Sequence, residues 1–482
     1  MGILRSQAND VNSANNDSTN PADLPTTGQQ QKIRNSLRYS IIDGTFYSIM
    51  VGFGESFFSN FAVFLKPTDF QLGLLGSLPQ VFGFLCQLFT QKMVMLFHSR
   101  QTVVCLGVFL QACMYLPIAF TFFLGDSRVS YLIACVVVYQ VCGSILVPAW
   151  NSWMGDLVDE KHRGRYFGKR NSILSTASFT AVLLGGYILK NFQGDPARQY
   201  LGFLILFSIA WLARTLSGIY LTQKYEPPYT AMPSSSITFR EFFQRIRGTN
   251  FQMFVSFMLC MNFSVFVSAA FFAPHMLKDL QLSPMSFAMV QATPIITKLL
   301  VIPRWGLACD QFGTKKIMTL TSMMIPTVPV VWLFGGQVWY LMLIQVYSGF
   351  VWAGFEIASF NVMFETTHAQ DRVSYISYYN VLNGVAILVG SMCGALIVQY
   401  NHLFLSGYLA VFLVSGLLRG VAAALFIRKI REMRTVSPIS YGGLVLKIVG
   451  FGFPTMGLVH APILFQKKKS PDTIAYRKKV EL

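Results

Sequence analysis

Three ionisable residues stand inside otherwise apolar stretches: Glu55, Lys298 and Glu356. On insertion scales a charge at the centre of a membrane helix costs roughly 2.5–3.5 kcal/mol, so such residues point to function before structure. Two carboxylates and a lysine suit proton and anion chemistry. Desolvation raises a carboxylate's pKa and a nearby cation lowers it, so a glutamate beside a lysine changes its proton occupancy when its surroundings open to water. Glu356 or Glu55 would carry the proton, and Lys298 would meet an anionic group or the carboxylate. The competing reading is a buried structural pair.

The stretches that must position these residues are membrane spans. The chain has 482 residues, 53% hydrophobic and only 12% charged, where a soluble domain carries about 25% charged residues. Uncharged apolar runs of about 20 residues recur along it. Twelve spans are expected, at 39–65, 70–97, 101–124, 129–150, 168–190, 200–222, 251–273, 285–304, 316–334, 338–362, 375–399 and 404–428. The implied domains are an N-terminal tail at 1–35, a six-helix bundle at 36–222, a linker at 223–250, a second bundle at 251–428 and a tail at 429–482. The first tail is rich in Asn, Gln, Ser and Thr and reads as disordered. The linker predicts a short amphipathic helix with Phe239, Phe242, Phe243 and Ile246 on one side, suited to a headgroup layer. The second tail is broken by glycine and proline and reads as interfacial rather than as a thirteenth span.

Charge sets the orientation. The net charge is +17, but Lys and Arg gather in alternate loops, which argues for cytoplasmic loops and against nucleic acid. Lys32, Arg38, Arg100, Arg163, Arg170, Arg245, Lys315 and Arg372 fall in one set, and Lys66, Arg128, Lys190, Arg198 and Lys278 in the other. Both termini are therefore expected in the cytoplasm, with the chain a multi-pass protein of the cell membrane. No Walker loop, nucleophile constellation or metal-ligand spacing stands out, so neither a cofactor nor enzymatic work is expected. The eight cysteines read as small apolar residues.

Two distant loops carry one polar skeleton. Asp156, Arg163, Tyr166 and Asn171 recur as Glu365, Arg372, Tyr375 and Asn380, each 209 residues later. Asp69-Phe-Gln71-Leu72 resembles Asp279-Leu-Gln281-Leu282, Pro79 matches Pro294, Arg100 matches Lys315, and Arg214 matches Arg419. Two pseudo-equivalent bundles follow from such a repeat. Glu55, Lys298 and Glu356 align instead with Val265, Gly83 and Val147. Scaffold residues should recur and an asymmetric cargo site should not, which sets these three apart and makes Arg214 and Arg419 anchors.

The segment Gly306-Leu-Ala-Cys-Asp310-Gln-Phe-Gly313-Thr-Lys315-Lys316 resembles the signature loop of the major facilitator superfamily. The Asp156/Arg163 and Glu365/Arg372 loops resemble that superfamily's acidic-then-basic loops after the fourth and tenth helices. The first-half copy of the signature is degraded, with Gln91, Met95 and His98 at the matching places. The resemblance covers about residues 36–430 and implies an all-α fold of twelve helices in two bundles. It further implies a secondary transporter that moves a small polar or charged solute by alternating access, coupled to a proton or another ion, as a monomer in the lipid bilayer. Asp156, Arg163, Asp310, Lys315, Glu365 and Arg372 would form its cytoplasmic gate, unless they serve only as topology determinants and helix caps. Asn60, Gln80, Gln140, Trp150, Asn262, Asn361 and Asn380 are candidates to line the pathway, although helix packing would use the same residues. Efflux of an amphiphilic compound, and a non-transporting receptor or scaffold with the same fold, are the alternatives.

Overall fold

A computed structural model describes residues 27–158, 163–228, 238–367, 372–401, 406–432 and 439–450. They form an all-helical protein. Among the described residues, nine helical stretches are long and apolar enough to cross a membrane, or ten if one bent pair is a single span; the expected first and ninth spans are not among them.

In the N-terminal half, α1 (Thr27–Phe53) continues through a 3-10 turn, Glu55–Phe57, into α2 (Phe58–Phe64). Helices α3 (Asp69–Gln87) and α4 (Thr90–Phe97) follow. They meet at a bend of 51° where a single span was expected. Next come α5 (Arg100–Cys113), α6 (Tyr115–Phe120), α7 (Arg128–Leu157), α8 (Arg163–Asn191) and α9 (Pro196–Thr222). Helix α1 begins twelve residues before the expected span, so Thr27 onward belongs to a helix rather than a tail.

The linker helix α10 (Phe239–Ile246) forms where the pattern placed it, capped by a Thr238–Glu241 box. Only half of its phenylalanine side faces outward. Phe242 and Ile246 are buried against the second bundle, while Phe239 and Phe243 remain exposed. The second half comprises α11 (Asn250–Ala269), the turn α12 (Phe272–Pro274), a π-helical turn (His275–Asp279) and α13 (Pro284–Phe312). Helices α14 (Thr314–Met324) and α15 (Thr327–Val331) split the ninth expected span at Pro326, as a missing N–H predicts. Then follow α16 (Val338–Glu365), α17 (Arg372–Tyr400) and α18 (Gly407–Phe426). The tail helix α19 (Tyr441–Val449) has nine residues, too short to span a bilayer. It instead buries Leu444 and Ile448 against the second half.

Local backbone chemistry repeats between the halves at an interval of 215. Lys66 and Gln281 are both left-handed, at φ 58° and 47°. Thr68 and Ser283 both N-cap the helix that follows. Pro79 and Pro294 lie inside those helices. This register corrects one sequence match: Asp69 lies in the first turn of α3, whereas Asp279 closes the π-helical turn before α13. It also places Ala270, at the break ending α11, opposite Glu55 at the break after Gly54, in place of Val265.

The halves meet along two seams, α3 with α17 and α8 with α13. Small residues allow the approach: a Cβ on Gly73 would lie 3.1 Å from the Ser391 carbonyl, and one on Gly186 would lie 2.2 Å from the Ala288 Cβ. Small residues let membrane helices pack closely where apolar burial supplies little drive. Both crossings lie toward the end of the bundle opposite the linker and termini.

Candidate functional site

Helix α13 places Lys298 through its packing on α16. Gly349 fits against Thr297 and Pro294, and Gly354 fits under the Trp305 ring. The buried indole donates from Nε1 to the Phe350 carbonyl at 2.9 Å, which fixes the helix pair. Two residues beyond Gly354, Glu356 meets Lys298 with Nζ to Oε1 at 2.5 Å. Phe355 packs instead on Phe257 of α11, with ring centroids 6.2 Å apart. Glu356 therefore occupies the arc of α16 between the α13 face and the α11 face. Of these two helices, α13 packs on α8 of the first half, which places the pair on a helix of the inter-half seam. The pair is accessible: the side chains are 32% and 51% exposed, and Phe360, one turn on, is 63% exposed.

Glu55 stands apart. Its Oε1 accepts from the Tyr139 hydroxyl at 2.6 Å, and Tyr139 also receives a bond from Tyr115 at 3.2 Å. This aromatic pocket joins α1, α6 and α7 inside the first half, with Phe58 edge-on to Tyr139. The sequence grouped three unmatched charges; the structure brings together two of them.

The other pathway candidates divide similarly. Asn262 donates to Asn383 at 2.7 Å, linking α11 to α17. Asn380 approaches Gln87 across the halves at 3.5 Å, and Gln80 bonds the Gly76 carbonyl of its own helix at 3.5 Å. Gln140 lies against Gly83, and Asn361 is half-buried on α16. Asn60 borders a cavity of about 300 Å³ with Gln193, Gln199, Leu277 and Leu282. A larger groove of about 540 Å³ between α1 and α8 contains Thr45, Ser172, Thr176 and Thr180 but none of the three charges. Trp150 lines neither cavity, because its ring carries the Arg170 guanidinium at 4.7 Å.

At the linker end, two of the gate candidates bond within their own halves. Asp156 accepts from Arg100 at 2.6 Å, and Glu365 accepts from Thr314 at 3.0 Å. Asp310 lies at the exposed end of α13, and the Lys315 backbone N–H bonds Glu432 at 2.9 Å. The side chains of Arg163 and Arg372 lie outside the described residues. Arg214 and Arg419 are both buried: Arg214 donates to Gln111 at 2.8 Å, and Arg419 to Ser268 at 2.8 Å. Each ties the last helix of its half to an inner one.

The sequence reading missed three residues at this end. Glu226 accepts from the Arg100 N–H and the Ser99 hydroxyl, each at 2.6 Å, at the start of α5. Glu432 does the same for α14 through Lys315. Each acid follows its half's matched arginine, Arg214 or Arg419, by twelve or thirteen residues, a signal present in the sequence. Lys224 is buried beneath the linker, 4.4 Å from the Trp153 ring centroid and 3.6 Å from Asp43. Burial pushes its pKa down, and the Asp43 carboxylate opposes that shift.

A helical bundle with repeated turns and two inter-half seams defines a class of two-bundle membrane proteins. The Major Facilitator Superfamily model matches residues 44–267 and 252–452, and the chain belongs to this superfamily as a multi-pass membrane protein. No curated protein matches it. Among solved structures it resembles a D-xylose-proton symporter, at 13% identity and TM-score 0.65 over 85% of this chain and 99% of that one. It also resembles a mutant of the nucleoside transporter NupG, at 14% identity and TM-score 0.64 over 82% of this chain and 100% of that one. The transporter FucP in its outward conformation matches at 13% identity and TM-score 0.57, over 83% and 99% of the two chains.

Proposed function

We propose that this protein is a secondary transporter that moves a small polar or charged solute with protons by alternating access. The carrying observation is the Lys298–Glu356 pair at 2.5 Å, half-exposed on the arc between α13 and α11. The pair joins an acid that can bind a proton to a cation that can bind an anion. Glu356 is thus the leading proton carrier and Lys298 the group that meets an anionic substrate moiety. Glu55, held by Tyr139, is the second proton candidate. Names among the structural neighbours, a D-xylose-proton symporter and a nucleoside transporter, support polar cargo and proton coupling.

The basic loops support a cytoplasmic linker end with both termini there, and the same reading takes the chain as a monomer in the cell membrane. Asp156, Arg163, Asp310, Lys315, Glu365 and Arg372 then act as the cytoplasmic gate, exchanging partners within a half for partners across halves when that end closes. In the test, the full chain in proteoliposomes is screened for uptake against a metabolite library, with and without a pH gradient. Accumulation driven by the gradient, lost in Glu356→Gln and Lys298→Gln, is the expected result. Gradient-driven uptake that persists in Glu356→Gln removes that residue as the proton site. Uptake of nothing in the library, with a separate activity that survives both substitutions, would favour a receptor.

A further inference from the structure

At the end opposite the linker, a charged contact among the described residues crosses between the halves. Asp69 opens α3 in the first half, and Lys278 lies on the π-helical turn of the second, 3.6 Å from Asp69 Oδ1. The Tyr408 hydroxyl, at the start of α18, donates to the same oxygen at 2.9 Å. Lys278 also approaches the Pro67 carbonyl at 3.5 Å.

The local backbone explains why Lys278 reaches across. The Leu280 N–H bonds the His275 carbonyl, five residues back, which widens the turn and re-aims the side chains it carries. The adjacent acid is already engaged, since Asp279 Oδ2 accepts from Ser406 at 2.5 Å and contacts His275 Nδ1 at 3.1 Å. Lys278 therefore turns to Asp69. In the 215-residue register its counterpart is Val63, so the contact has no symmetric copy. The seams beside it are tight, with Gly76 against Ala270 and Phe57 against Phe287.

We propose that Asp69, Lys278 and Tyr408 form a latch that holds this end closed and must break for the cleft to open there. The inference rests on the alternating-access reading, but its test reads shape and not transport. Each of Asp69 and Lys278 is about one third exposed, at 34% and 32%, so the pair should bias the equilibrium by only about two- to fivefold.

Spin labels at Phe123 and Trp339, exposed positions near this end of the two halves, report the separation in the full chain in proteoliposomes. Lys278→Gln and Asp69→Asn should each enlarge the long-distance population, and Tyr408→Phe should do so less. The exchanged pair, Asp69→Lys with Lys278→Asp, should restore the short distance. Unchanged distributions in Lys278→Gln, or an exchanged pair that stays as open as the single variants, would overturn the latch. A distance shift without uptake of any solute would keep the latch and remove the transport reading.

Discussion

At the scale of single residues, the charges proposed to handle cargo differ from those that hold the scaffold. Lys224 and Asp43 belong to the second kind, because Lys224 is buried between Trp150, Trp153 and Asp43. Removing one partner of a buried pair costs about 3–5 kcal/mol where the other is left uncompensated, but Asp43 also lies 3.8 Å from the buried Arg170. Lys224→Met should therefore lower thermal stability in detergent moderately and Asp43→Asn, which strips both cations of their carboxylate, should lower it more, with the double variant losing less than the sum of the two. A double variant as unstable as the sum of the two singles would show that the pair is not coupled. Lys298→Gln should differ: abolished uptake with stability changed by less than about 1 kcal/mol marks a working charge, because Lys298 is one-third exposed. These roles were legible only in part. The unmatched charges stood out because membrane insertion penalises them. Their partners did not, since Tyr139 and Tyr115 read as ordinary apolar-face aromatics and reach Glu55 only through tertiary packing.

At the scale of elements, helix breaks and close crossings decide the geometry. Hydropathy located nine of the twelve expected spans, or ten with the bent pair, on long helices among the described residues. It could not show the bend between α3 and α4 or the offset after Gly54, which depend on turn chemistry. Repeat matching was right for Pro79 with Pro294 but misled for Asp69 with Asp279, where four similar letters fell on unlike turns. The seams give a prediction at this scale. An added methyl at Gly186 would lie 2.2 Å from Ala288, so Gly186→Ala must push α8 from α13. It should slow uptake severalfold while leaving helix content by circular dichroism unchanged. A full uptake rate would mean that this crossing does not close during the cycle.

At the scale of the whole molecule, two halves share one architecture, and the proposed site is asymmetric. Symmetry pairs the seams, and the proposed chemistry rests on departures from it: Lys298 opposite Gly83, Glu356 opposite Val147 and Lys278 opposite Val63. The linker end is stitched within each half by Glu226 and Glu432, so each bundle can move as a unit without losing its own cap. The decisive question is whether the Lys298–Glu356 pair lies in water between the halves or against lipid. A cysteine at Phe360, one turn from Glu356, in a background without the native thiols, can be challenged with a membrane-impermeant reagent from either side. Labelling from the linker side, slowed by substrate, is the predicted result. A thiol that reacts from neither side, or whose labelling ignores substrate, would contradict the account.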